Sequence, residues 1–166
     1  MKRFLQGLLF VQDFSESNML QKYHLNCHNF LGDAIDIGIS LGFEGILLIG
    51  HIGKLVKLGA GIMNTHSSTA DGRMETLIAC AALAGADREI LRRIADCVTT
   101  DAALTVLGED PAAQAALEIL TARIDTYLHA RVKGAAEIGA VVFSEKSGLL
   151  LKTPAADRLM KNIAEE

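Results

Sequence analysis

The sequence predicts an α/β fold, a parallel sheet of about four strands with helices on both faces. Two continuous apolar runs, Gly45 to Gly50 and Ile138 to Phe143, have the pattern of strands covered on both sides. Around them apolar residues recur at helical spacing, and strands alternating with helices favour a parallel sheet wrapped on either face.

The elements follow in order. Leu8 to Val11 is a short apolar run read as a buried strand, and the polar stretch Gln12 to Ser17 as a turn and short helix. From Asn29, a candidate N-cap, Leu31, Ile35 and Ile39 share a helical face that Gly42 would end. After the strand Ile46 to Ile49, the spacing of Leu55, Val56 and Leu58 predicts a helix over 52–58, broken by Gly59-Ala60-Gly61. Further helices are marked by Met74, Leu77, Ile78 and Ala81, and by Ile90, Leu91 and Ile94 behind the cap Asp87. A longer one opens at Asp110-Pro111 and keeps phase through Leu117, Leu120, Ile124, Leu128 and Val132 to Gly134. Leu149 to Leu151 reads as a last, hairpin-like strand after the turn 144–148, and Thr153-Pro154 opens a terminal helix.

Composition narrows the function classes. The chain has 166 residues, half of them apolar, which is enough to bury a core without disulfides or a structural metal. Its most membrane-like stretch, Gly45 to Met63, carries His51, Lys54 and Lys57, whose charges are costly in lipid, so no membrane span is expected. The apolar N-terminus lacks a small-residue cleavage site, and a cytoplasmic protein is expected. Three cysteines at wide spacings suit neither a disulfide framework nor a zinc ribbon, and buried reduced thiols are expected. A formal charge of −4 and few aromatic residues argue against nucleic acid as a partner.

Ligands of open parallel sheets bind beyond the carboxyl ends of the strands. There the sequence places Gly50-His51-Ile52-Gly53-Lys54, whose glycines would permit a tight turn with backbone N–H groups facing a ligand, and Lys57 one turn further on. The same residues also suit an ordinary strand-to-helix connection, because a G-x-x-G pair is weak information. Asn64-Thr65-His66-Ser67, with Asp71 and Arg73 beyond, reads either as a binding loop or as the capping segment of the next helix. His24 and His28 stand four apart without an acidic or cysteine ligand in a known pattern, so no metal site is expected. His129 reads as a surface residue near a helix end, and Glu109, Asp110, Glu118 and Asp125 as a solvated acidic face.

Three segments carry a family resemblance: Asn29-Phe30-Leu31-Gly32-Asp33-Ala34-Ile35-Asp36, then Gly42 through Gly50-His51-Ile52-Gly53-Lys54-Leu55-Val56-Lys57-Leu58, then Gly61-Ile62-Met63-Asn64-Thr65-His66-Ser67 with Ala70-Asp71-Gly72-Arg73-Met74-Glu75. Together they resemble the CbiD family, cobalt-precorrin-5B (C1)-methyltransferases of anaerobic cobalamin biosynthesis that use S-adenosylmethionine. The similarity is dense from Asn29 to Ala86 and looser through the Val141-Val142-Phe143 strand. The resemblance implies that residues 1–166 form one α/β domain like the family's C-terminal domain, without its N-terminal domain. The family's Gly- and Thr-rich opening segment has no counterpart, and Gln12 to Ser17 match the family's loop poorly.

The resemblance further implies methylation of ring carbon 1 of a carboxylate-bearing, cobalt-containing tetrapyrrole, with the cobalt arriving in the substrate. Alignment of donor and acceptor matters most in such a displacement, so no catalytic nucleophile is assigned. Lys54, Lys57 and Arg73 would meet substrate carboxylates, the Gly50 to Gly53 turn would offer N–H groups, Asp71 would accept from the cofactor's ribose, and Asn64, His51 and His66 would orient either ligand. Thr65 and Ser67 complete the candidate loop. The expected partner is a separate N-terminal domain or a second copy of the chain. The alternatives are a tetrapyrrole- or cofactor-binding or partner-docking remnant without turnover, and an unrelated phosphate- or nucleotide-binding domain. No Walker or dinucleotide fingerprint supports the last.

Overall fold

The computed structural model describes residues 8–11, 24–25, 27 and 29–164. The turn and short helix expected at 12–17, and His28, lie outside the described residues. Strand β1 is Leu8–Val11, β2 His24–Leu25, β3 Gly45–His51, β4 Glu137–Ser144 and β5 Gly148–Lys152. Helices are α1 Leu31–Ser40, α2 Ile52–Leu55 continuing as a 3₁₀ turn Val56–Ala60, α3 Arg73–Leu83, α4 Arg88–Ala95, α5 Thr100–Leu107, α6 Ala113–Val132 and α7 Ala156–Ala164.

These strands form one sheet in the order β2-β1-β3-β4-β5. The first four are mutually parallel, and β5 runs antiparallel to β4. The α/β class therefore stands, but among the described residues the sheet has five strands and is mixed, where a parallel sheet of about four was expected. The cause is the short turn 145–147, which can close a hairpin but is far too short for a parallel crossover. The strand order reverses direction between β1 and β3, so the carboxyl end of β3 lies at the switch point where such sheets take ligands.

Strand side chains alternate between faces, and the alternation divides the core in two. Ile46 and Leu48 of β3 and Ile138, Ala140 and Val142 of β4 enter the larger cluster, with residues of α1 and of α2 through α6. Leu47 of β3 and Val141 of β4 point the other way, onto Leu159 and Ile163 of α7. On α6, Leu120, Ile124, Leu128 and Val132 recur at the helical repeat and are all buried. Each such side chain contributes about 1.5–3 kcal/mol of transfer free energy.

Several local expectations change. The helix expected over 52–58 is a single α turn that tightens into 3₁₀ geometry from Val56. Asn29 does not cap α1; the capping position is Phe30 and no side chain bonds there. Instead the carbonyl of Asn29 accepts from Thr65 N at 2.8 Å, and its Oδ1 lies 3.3 Å from Thr65 Oγ1. All three cysteines are free, but only Cys80 is buried; Cys27 and Cys97 are half-buried. No helix among the described residues is long and apolar enough to cross a membrane.

Candidate functional site

The site begins where β3 ends. Strand passes to helix without a loop, because His51 is both the last residue of β3 and the N-cap of α2, with φ −71° and ψ 143°. Its Nδ1 accepts a hydrogen bond from Gly53 N at 3.0 Å. In the neutral ring that leaves the proton on Nε2. The Nε2 atom lies 3.5 Å from Asp101 Oδ2, on the first turn of α5. The other carboxylate oxygen of Asp101 accepts from Ser144 Oγ at 2.5 Å, at the carboxyl end of β4. Ser144 Oγ in turn accepts from the backbone N–H groups of Lys146 and Ser147, both at 3.1 Å. The Phe143 and His51 rings pack in a T shape with centroids 5.9 Å apart and planes at 81°.

The expected glycine-hinged turn is thus corrected. Gly50 is a buried strand residue paired with Val142, and neither it nor Gly53 has a positive φ. The Gly53 N–H is already taken by His51, so it is not a free donor. What Gly53 supplies is room, since a Cβ there would stand 3.1 Å from His51 Nδ1.

The second segment is tied down over the 3₁₀ turn by a buried lysine. Lys57 is only 2% exposed, and its ammonium donates to the carbonyls of Thr65 at 3.0 Å and Ala70 at 2.8 Å. Its ammonium is therefore spent on the loop and does not face solvent as a carboxylate-binding cation. Asn64 bridges to Phe30, and its Oδ1 accepts from His66 N at 3.1 Å. Thr65 is buried, whereas His66, Ser67 and Ser68 are exposed. His66 Nδ1 accepts from Ser68 N at 3.2 Å and lies 2.6 Å from Ser68 Oγ. Arg73 grips both oxygens of Asp71, at 2.5 Å from Nε and 2.9 Å from Nη2. The expected cation and the expected ribose acceptor thus neutralise one another.

Charges around this loop are coupled. Burial pushes the Lys57 ammonium below the ordinary lysine value, with Asp71 opposing and Arg73 and Lys54 adding to the effect. The hydrogen bonds from Arg73 hold the Asp71 carboxyl below its usual range. Burial pushes the Cys27 thiol up to about 11, against the pull of a backbone hydrogen bond and of Lys54. Lys54 is half-buried and, among the described residues, makes no hydrogen bond or ion pair. It is the ammonium of this cluster left for an anionic group.

The structure therefore forms one group of His51 with Gly53 and another of Lys57 with Thr65, Ala70, Asp71 and Arg73, and beside His51 it adds Asp101 and Ser144, which sequence reasoning did not select. A signal existed for the first: Thr99 caps α5 by accepting from Ala102 N at 3.2 Å, and Ala103 and Leu107 follow at helical spacing. The trio is not a nucleophilic triad, because Ser144 bonds to the carboxylate and not to the imidazole. Among the described residues no three His, Cys, Asp or Glu side chains gather to hold a metal. A separate open groove of about 520 Å³ lies between α6 and β5, lined by Leu117, Thr121, Asp125, Leu151 and Lys152. Among the described residues Asp125 Oδ1 is buried without a hydrogen-bond partner, 3.4 Å from His129 Nδ1, so this acid is not part of a fully solvated face.

The carboxyl end of β3 lies beside the reversal of strand order, the place where open α/β sheets as a class take their ligands. Residues 64–154 match the family described as CbiD, C-terminal domain, and the chain belongs to that family. A cobalt-precorrin-5B C(1)-methyltransferase of Ruminiclostridium cellulolyticum is 40% identical over 121 residues, covering 73% of this chain and 32% of the relative. One from Alkaliphilus metalliredigens is 36% identical over 145 residues, 87% of this chain and 38% of the relative. One from Citrobacter koseri is 55% identical over 76 residues, 46% of this chain and 20% of the relative. The chain thus spans well under half the length of these relatives. No solved structure matches the chain.

Proposed function

We propose that this chain supplies part of the site of a cobalt-precorrin-5B C(1)-methyltransferase, with S-adenosylmethionine as methyl donor and the cobalt-bearing tetrapyrrole as acceptor. The observation that carries the reading is the family match over 64–154, together with relatives that bear that name. The carboxyl-edge residues fit such ligands: Lys54 offers a carboxylate an ammonium that is unpaired among the described residues, and His51 an Nε2–H to an acceptor.

S-adenosylmethionine, when bound, supplies an electrophilic methyl group on a sulfonium. The chain's own task is to hold and align. Lys54 fixes an anionic arm, His51 anchors the strand-to-helix step that carries it, and Lys57 ties the loop at Thr65 and Ala70 to the 3₁₀ turn that follows α2. His51 does not serve as a base, because its Nδ1 is already an acceptor for Gly53 N–H. On this reading residues 1–166 act as one α/β domain in the cytoplasm, and turnover needs the remaining part of the relatives' architecture.

Mixing the chain with the N-terminal part of a full-length relative tests this directly. Methyl transfer to cobalt-precorrin-5B is expected only in the mixture, and its absence under every pairing would refute the reading. A second reading, binding without turnover, is favoured by the exposed stripe Phe30, Ile37 and Leu41 along α1, which suits a docking surface.

A further inference from the structure

We propose that His51 Nε2–H and Asp101 Oδ2 form a hydroxyl-recognition pair on the carboxyl edge of the sheet, with Ser144 as its anchor, and that its ligand group is a sugar hydroxyl of the cofactor. The proposal rests on the function given above and assigns a residue, Asp101, that the sequence did not nominate.

Three features carry it. The imidazole is aimed: Gly53 N–H occupies Nδ1, so the ring presents a donor at Nε2. The carboxylate is aimed as well, because Ser144 Oγ holds Oδ1 at 2.5 Å and leaves Oδ2 turned to the histidine. The gap between them, 3.5 Å, is longer than an ordinary N–H···O hydrogen bond. A hydroxyl oxygen about 2.8 Å from each atom fits beside that gap, accepting from Nε2–H while donating its own proton to Oδ2. The two side chains are 25% and 31% exposed, so the pair is reachable yet partly shielded from water.

Location favours the same ligand. The pair sits where β3 and β4 end, beside the reversal of strand order. Each oxygen of Asp71, the acceptor expected for a ribose, accepts from Arg73, whereas Asp101 keeps one oxygen without a hydrogen bond among the described residues.

The test crosses a protein change with a ligand change. Affinity for S-adenosylhomocysteine and for its 2′-deoxy and 3′-deoxy counterparts is measured calorimetrically on the unaltered chain, on Asp101→Asn and on Ser144→Ala, with the melting temperature of each recorded. Asp101→Asn is expected to weaken S-adenosylhomocysteine at least about 10-fold, and to leave one of the deoxy ligands within about 2-fold of its affinity for the unaltered chain. Equal losses for all three ligands would mark Asp101 as merely structural and overturn the proposal, as would no loss. Should Asp101→Asn not fold, Ser144→Ala must show a hydroxyl-dependent loss of about 3-fold, and its absence overturns the proposal equally. If the unaltered chain binds none of the ligands, cofactor binding by this domain falls together with the pair. If it binds them without hydroxyl dependence on Asp101, only the pair falls.

Discussion

Lys57 Nζ donates to the carbonyl of Ala70 at 2.8 Å, across thirteen residues of chain, and the same ammonium reaches Thr65 O at 3.0 Å. One side chain thereby fastens both ends of an exposed polar loop to the 3₁₀ turn that follows α2. A lysine that looks like a ligand-binding cation in sequence is the peg of the loop.

Removing the peg leaves two loop carbonyls without their donor, one bond fully buried and the other partly so. Lys57→Met keeps most of the apolar stem and is expected to cost about 2–4 kcal/mol. Chemical denaturation measures the loss, and amide exchange at residues 65–70 should accelerate well beyond that of β3.

Gly61 sits in the left-handed region at φ +76°, and a Cβ there would stand 2.9 Å from the Tyr127 ring. Gly61→Ala combines the left-handed penalty with a displaced aromatic side chain on α6. A destabilisation of about 1–3 kcal/mol is expected. The melting temperature checks it.

The Asp71 and Arg73 pair gives a pH dependence of defined sign. Because the folded Asp71 carboxyl lies below the usual aspartate value of 3.8, its contribution is present above that pH and is lost as acid titrates the depressed group. Asp71 is half exposed, so screening keeps the contribution near ~0.5 kcal/mol. The stability difference between the unaltered chain and Asp71→Asn should therefore hold at neutral pH and shrink toward zero in strong acid. A difference that grows with acidification would contradict the assignment.

Cys27 tests the placement of Lys54. With its thiol raised to about 11, alkylation at mildly alkaline pH should run about 100-fold slower than that of an ordinary exposed thiol. Lys54→Met removes a charge that favours the thiolate, so modification should slow further. Mass spectrometry of the labelled chain reads both rates, and an acceleration in Lys54→Met would place the ammonium elsewhere.

The fold was legible where burial imposes a pattern. Ile46 to Ile49 and Ile138 to Val142 are apolar because both faces of the sheet are covered, and α6 keeps its phase because one stripe faces the core. The two-residue β2 is too short to show a period, whereas the hairpin return of β5 was legible in the short turn before it. Helix α5 was missed because Ala102 and Ala103 weaken its apolar stripe, and Asp101 was lost with it. Asn29 looked like a cap, yet its partner Thr65 lies 36 residues away. The same holds at Asp71 and Arg73: the sequence shows a cation and an acceptor, and only coordinates show that they spend themselves on each other.

On the proposed function, ligand binds at the carboxyl end of β3 and not in the groove between α6 and β5. Proton–nitrogen correlation spectra of the labelled chain during titration with S-adenosylhomocysteine locate binding residue by residue. The expected shifts cluster at Gly53, Lys54, Asp101 and the loop from Thr65 to Arg73. Shifts confined to Thr121, Asp125 and Leu151, or an unchanged spectrum at saturating ligand, would contradict it.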